Sequence, residues 1–232
     1  SGSPQIRTHG MPADMAAKPT GVELTLGQYG RLGSLLVLTW LVAVAGPLVA
    51  GRASVYARQG VDRADGFRRS ADRFLAQGAY DRARIQYLNA VQRNPADART
   101  HWGVAQCALK LKHNREAKEA LGRTLALEAT HAEARTALVD LLLAMGSPDQ
   151  ALTHAMRGVQ LDSADAGMRI RLGECQRRLG RSALARQEAE AVLGQEPANG
   201  EALLLAATAA ADAQDLTAAK SFVERLIQTV PA

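Results

Sequence analysis

The chain has 232 residues, 47% of them apolar but only 4% aromatic, a balance that suits Ala/Leu-rich helices and argues against a β-sandwich. Its formal net charge of +5 is carried unevenly: residues 1–51 hold 3 basic and 2 acidic side chains, residues 52–63 hold 3 and 1, and residues 64–232 hold 22 and 20. The long C-terminal part is thus nearly neutral and lacks a basic stripe interleaved with aromatics, so no nucleic acid is expected as a partner.

Residues 1–31 contain Pro4, Pro12 and Pro19 and no sustained apolar period, which predicts an extended or disordered tail. Residues 32–51 then run twenty positions without a charge, between Arg31 and Arg52. As a helix this stretch crosses roughly 30 Å of hydrocarbon, and its flanking arginines suit a membrane anchor. Two other readings stand beside a transmembrane helix. Leu35 to Ala45 resembles the apolar part of a cleaved signal peptide, and a buried helix of a globular domain is the third, disfavoured because every face is apolar. The expectation is a single-pass protein of the inner (plasma) membrane, in contact with the lipid bilayer through residues 32–51.

Orientation is open. Lys18 and Arg31 precede the span within twenty residues, whereas Arg52, Arg58, Arg63, Arg68 and Arg69 follow it. The positive-inside rule therefore favours a cytoplasmic C-terminal domain, while a short N-terminal tail favours export of that domain to the periplasm. Residues 52–63 are expected to form a juxtamembrane linker helix with Gly60 and Gly66 as weak points.

From residue 64 onward the chain repeats. Ala83, Ala117, Ala151, Ala185 and Ala219 stand 34 residues apart without a slip. Twelve positions before them lie Ala71, Ala105, Val139, Gly173 and Ala207; five before lie Gly78, Lys112, Gly146, Gly180 and Gln214; twelve after lie Pro95, Ala129, Ser163, Pro197 and Pro231. Such a period marks a solenoid of supersecondary units. Small residues mark the closest approach of two antiparallel helices. Glycine supplies the positive φ that ends the first helix, and proline stops the second.

With Phe67, Ala71, Gly78, Tyr80, Ala83, Tyr87, Ala90 and Pro95 in favoured positions of the first unit, residues 64–232 resemble the tetratricopeptide repeat (TPR) family. The resemblance implies an all-α fold, a right-handed superhelical solenoid of five helix-turn-helix units after one transmembrane helix. The units are 64–97, 98–131, 132–165, 166–199 and 200–232. Units two and three depart from the pattern in lacking the terminal proline, so their loop geometry is open.

Catalytic chemistry is not expected. Cys107 and Cys175 fall at the same position of a first helix two repeats apart, too distant to bridge. His9, His101, His113, His131 and His154 have no metal-binding spacing. No nucleophile elbow, Walker loop or dinucleotide fingerprint occurs, so neither an enzyme nor a cofactor is expected.

The resemblance implies instead that first-helix positions 2, 5, 9, 12 and 13 line a concave groove. These give Arg68 in unit one and Arg99, Trp102, Gln106 and Lys110 in unit two. Unit three supplies Asp140, unit four Ile170, Glu174, Arg177 and Arg178, and unit five Glu201, Leu204 and Thr208. Trp102 among Arg68, Arg99 and Lys110 is expected to form a binding hot spot for an acidic segment, against the alternative of a slightly shifted core Trp. At the far end, Leu204, Leu205, Phe222, Val223, Leu226 and Ile227 exceed what unit four alone can cover. Apolar surface at an uncapped solenoid end marks a docking site, for another subunit or a second copy. The expected function is a membrane-anchored scaffold or adaptor that binds a peptide or subunit of a membrane complex and helps assemble it. The alternative is a periplasmic chaperone-like adaptor for proteins in transit.

Overall fold

A computed structural model describes the backbone over residues 46–229 and side chains over residues 61–229. Two compact units, Ser1–Val55 and Tyr56–Ala232, divide the chain. The predicted tail and most of the predicted span lie outside the described residues; only 46–51 of the span are seen, and they are helical. Among the described residues no helix is long and apolar enough to cross a membrane.

The described chain is all helix and turn. α1 runs Gly46–Ala76, followed by α2 Tyr80–Arg93, α3 Ala98–Lys110, α4 Asn114–Leu127 and α5 Ala132–Ala144. Then come α6 Pro148–Leu161, α7 Ala166–Arg178, α8 Ser182–Gln195, α9 Gly200–Asp212 and α10 Leu216–Thr229. α1 runs without interruption through Gly60 and Gly66, the expected weak points. A helical glycine costs only about 1 kcal/mol, and no proline lies between Pro47 and Pro95 to interrupt the ladder.

Each first helix ends in the same hydrogen-bonded turn. Gly78, Lys112, Gly146, Gly180 and Gln214 all take a positive φ, from 60° to 74°. In every case the N–H of that residue reaches back to the carbonyl three residues earlier, and the next N–H reaches back five. Gly78 donates to Leu75 O and Ala79 to Phe74 O; Lys112 donates to Leu109 O and His113 to Ala108 O. These are Schellman turns, and two of the five are made without glycine.

The starts of the first helices are as regular. Asp97, His131, Asp165 and Asn199, again 34 apart, each accept a backbone N–H from the first turn through a side-chain atom. Such caps satisfy donors that the helix itself leaves open. The second helices stop alike with or without proline. Asn94, Glu128, Asp162 and Glu196 donate to the carbonyl four residues back at 2.8–3.0 Å, so the loops after units two and three match those of units one and four in this bond.

Small side chains let the helices meet closely. Ala71, Ala83, Ala105, Ala117, Val139, Ala151 and Ala185 are fully buried, and where the column carries glycine a neighbour fills the space. A Cβ on Gly173 would stand 2.5 Å from Leu205 Cδ2; outside that column Gly103 is filled likewise, since a Cβ there would stand 2.4 Å from Tyr87 Cε1. Cys107 and Cys175 are buried and unpaired, and burial pushes both thiols up to about 11. They are packing residues, unsuited to act as nucleophiles near neutrality.

Candidate functional site

The first-helix faces of α7 and α9 enclose a cleft of about 400 Å³, lined by Ile170, Glu174, Arg177, Glu201, Leu204, Leu205 and Thr208. Six of these seven occupy positions that the family resemblance implies for a groove. Leu205 is the addition: it lies one residue beyond the expected Leu204 and enters because Gly173 leaves room for its side chain. Ile170 is half-buried, Leu205 is 4% exposed and Leu204 is 54% exposed. An apolar floor with one unsatisfied leucine is suited to receiving an apolar side chain.

Charged groups hold the rim in place. Arg177 donates through Nε and Nη2 to both oxygens of Glu174 at 2.8 and 3.0 Å, and through Nη1 to Asp212 Oδ2 at 2.9 Å. Arg178 donates to Glu174 Oε1 at 2.6 Å and to the Leu143 carbonyl at 2.8 Å. Burial alone would raise the Glu174 pKa, but the hydrogen bonds from Arg177 and Arg178 outweigh it and hold the carboxyl below its usual value. The network ties α5, α7 and α9 together. Its charges are largely paired, which leaves geometry and the apolar floor to select a ligand.

The other expected groove residues are distributed differently. Arg68 is held by Asp65 at 3.1 Å, Asp72 at 3.6 Å and Asp97 at 3.8 Å; these acidic neighbours offset the charge it was to lend the Trp102 cluster. Trp102 is half-buried against the core, its ring 5.1 Å from that of His131. Arg99 and Lys110 are exposed and Gln106 is half-buried. Asp140 accepts from Arg171 Nε at 2.7 Å and Nη2 at 2.9 Å, bridging the third and fourth repeats. Arg171 was not anticipated; its opposite charge 31 residues after Asp140 was the available signal.

The expected C-terminal surface needs correction at two positions. Leu205 and Phe222 are buried, at 4% and 8% exposure, so neither offers an exposed apolar side chain at the C-terminal end. Leu205 packs at Gly173 of the preceding repeat, while the guanidinium groups of Arg186 and Arg225 lie over the Phe222 ring at 5.6 and 5.7 Å. Long arginine stems cover apolar surface while their heads stay in water. Leu226 is half-buried, whereas Val223 and Ile227 remain exposed together with Leu216. No cluster of metal-ligating side chains occurs among the described residues.

Helix pairs closed by a positive-φ turn, in a 34-residue register with small contact residues, are what a family model described as tetratricopeptide repeat captures. That model matches residues 68–117, 136–191 and 170–232, more than half of the chain. The chain belongs to the tetratricopeptide repeat family. No curated protein matches this TPR chain, but solved structures share its fold. MamA from Desulfovibrio magneticus RS-1 is similar with a TM-score of 0.67 at 16% identity, over 72% of this chain and 95% of that one. YrrB, described as a TPR protein with an unusual peptide-binding site, has a TM-score of 0.65 at 21% identity, over 71% and 85%. Pseudomonas aeruginosa PilF has a TM-score of 0.58 at 18% identity, over 75% and 79%. At these identities the likeness is one of fold.

Proposed function

We propose that the TPR domain is a scaffold that holds a segment of a partner protein in the α7–α9 cleft, as part of a complex at the membrane. The observation that carries this reading is the cleft itself, an apolar floor of Ile170, Leu204 and Leu205 within a fixed charged rim. A partner residue entering it meets Leu204, which the fold leaves half in water. Burying apolar surface of this kind contributes about 25 cal/mol per Å². The uncharged stretch at residues 32–51 supports attachment to a bilayer, and the basic residues that follow it support a cytoplasmic domain. The exposed Leu216, Val223 and Ile227 supply a second apolar face for a neighbouring subunit or a second copy of the chain.

The test is affinity purification of the full chain from gently solubilised membranes, alongside Leu204→Glu and Ile170→Asp. A partner recovered with the native chain and lost with both variants, at unchanged helicity, supports the cleft. Equal recovery with all three rejects it. A reporter fused to the C-terminus separates the scaffold inside the cell from the periplasmic chaperone-like adaptor, since it is active on one side only.

A further inference from the structure

The repeat register places Arg135 of α5 in the position of Arg169 of α7, and His154 of α6 in the position of Glu188 of α8. In the fourth repeat the guanidinium is satisfied on two sides. Arg169 Nε donates to the Ser163 carbonyl at 2.9 Å, and Nη1 donates to Glu188 Oε2 at 3.0 Å. The third repeat keeps the first half of this arrangement, since Arg135 Nη2 donates to the carbonyl of Ala129, the counterpart of Ser163. The carboxylate half is gone.

What remains is a buried cation among other cations. Arg135 is only 5% exposed, and its Nε has no hydrogen-bond partner among the described residues. Burial, and then the charge of Arg157, lower its pKa. His154 is likewise held toward its neutral form, by burial first and then by Arg135 and by Lys118 of α4. Lys118 itself is steadied by Gln150, whose Oε1 accepts from Nζ at 2.8 Å. Among the described residues no carboxylate forms an ion pair with Arg135. A buried guanidinium N–H left unpaired is costly to keep, and the neighbouring repeat shows which group fits between these two positions.

We propose that Arg135 and His154, in the field of Lys118 and Arg157, bind a carboxylate supplied from outside the repeat, in the place that Glu188 fills one repeat later. The site lies at repeat positions 4 and 23, apart from the groove positions and from the α7–α9 cleft. Arg135 Nε donates to one oxygen, the neutral imidazole of His154 offers a further N–H, and Lys118 and Arg157 supply field. The carboxylate comes either from a free small acid or from an Asp or Glu side chain of a docked protein.

The experiment titrates the full chain with sodium acetate and, separately, with hexaglutamate, each against sodium chloride at matched ionic strength. Thermal unfolding and the His154 imidazole resonances are followed together. Either carboxylate is expected to raise Tm by a few degrees beyond the chloride control and to shift His154. Response to acetate equal to that of hexaglutamate per carboxylate identifies a free acid; a tenfold or greater preference for hexaglutamate identifies a protein segment. His154→Glu, which installs the missing partner within the chain, is expected to raise Tm unaided and to abolish both responses. Arg135→Leu copies the fifth repeat, where Leu203 is buried at this position, and is expected to fold and to lose both responses. The proposal is overturned if neither carboxylate exceeds chloride, or if Arg135→Leu or His154→Glu responds as the native chain does.

Discussion

Lys112→Gly tests the turn chemistry most directly. Lys112 ends α3 with φ at 60°, the conformation that Gly78, Gly146 and Gly180 adopt at 71–74° in the equivalent turns. A left-handed residue with a Cβ costs roughly 1–2 kcal/mol, against which glycine loses about 0.5–1 kcal/mol more conformational entropy on folding. Lys112 is exposed and makes no ion pair among the described residues, so little else is lost with its side chain. The difference leaves a net gain of about 0.5–1 kcal/mol, or about 1–4 °C in Tm for a domain of this size. The mirror experiment is Gly146→Lys. A Cβ there would meet nothing within 4 Å, so the penalty is purely one of backbone, and a loss of similar size is expected. Circular dichroism melts of the full chain at one scan rate read both. A Tm that falls for Lys112→Gly, or that is unmoved by Gly146→Lys, refutes the reasoning.

Three further outcomes are expected. Tyr87 donates its hydroxyl to Asp72 Oδ1 at 2.7 Å, so Tyr87→Phe should cost about 1.5 kcal/mol in urea denaturation, at the low end for a bond to a charged group because Asp72 can return to water; a neutral result dismisses the bond. Asp140→Ala and Arg171→Ala, combined in a double-mutant cycle, should show a coupling of about 0.5–1 kcal/mol, the upper part of the range for a bidentate pair in partial contact with solvent. Protonation of His154 is disfavoured in the fold, by burial first and then by Arg135 and Lys118, so the unfolded chain binds more protons. The stability this confers is full above the unfolded value near 6.5 and is lost as pH falls through it toward the lower folded value. Urea midpoints at pH 7.5, 6.5 and 5.5 should show that loss, and His154→Gln should reduce it.

Much of this architecture is legible from spacing because backbone requirements repeat while side chains vary. The glycine column identified the turn even where Lys112 and Gln214 occupy it, since flanking hydrogen bonds impose the left-handed angle. Absent prolines left the third-repeat loop unchanged in its terminal bond, because a carbonyl four residues back, which accepts from Asp162, suffices. The capping column was missed because its members differ in chemistry: Asp97 and Asp165 are recognisable caps, but His131 works through Nδ1 and reads as a surface histidine. The site was harder still. A position number tells which way Arg68 or Arg177 faces, not that Asp97 at the end of the same unit, or Asp212 of the next repeat, already meets it. Leu205 and Phe222 look surplus in sequence for a related reason, as the cavity beside Gly173 and the stems of Arg186 and Arg225 arise only when helices stack.

The fit of Leu205 against Gly173 bears on how such an array could be edited. In the third repeat the residue at the position of Gly173 is Val139, fully buried, and the residue following it at the position of Leu205 is Arg171, which turns to Asp140. The repeats therefore share a pitch but not a thread. Excising the fourth unit would bring Leu205 onto Val139, where the hollow made by glycine is missing, and duplicating the third would set valine against Ala137. Units of this chain are ordered parts, and a shuffled chain of the same composition would carry every period described above and still pack badly.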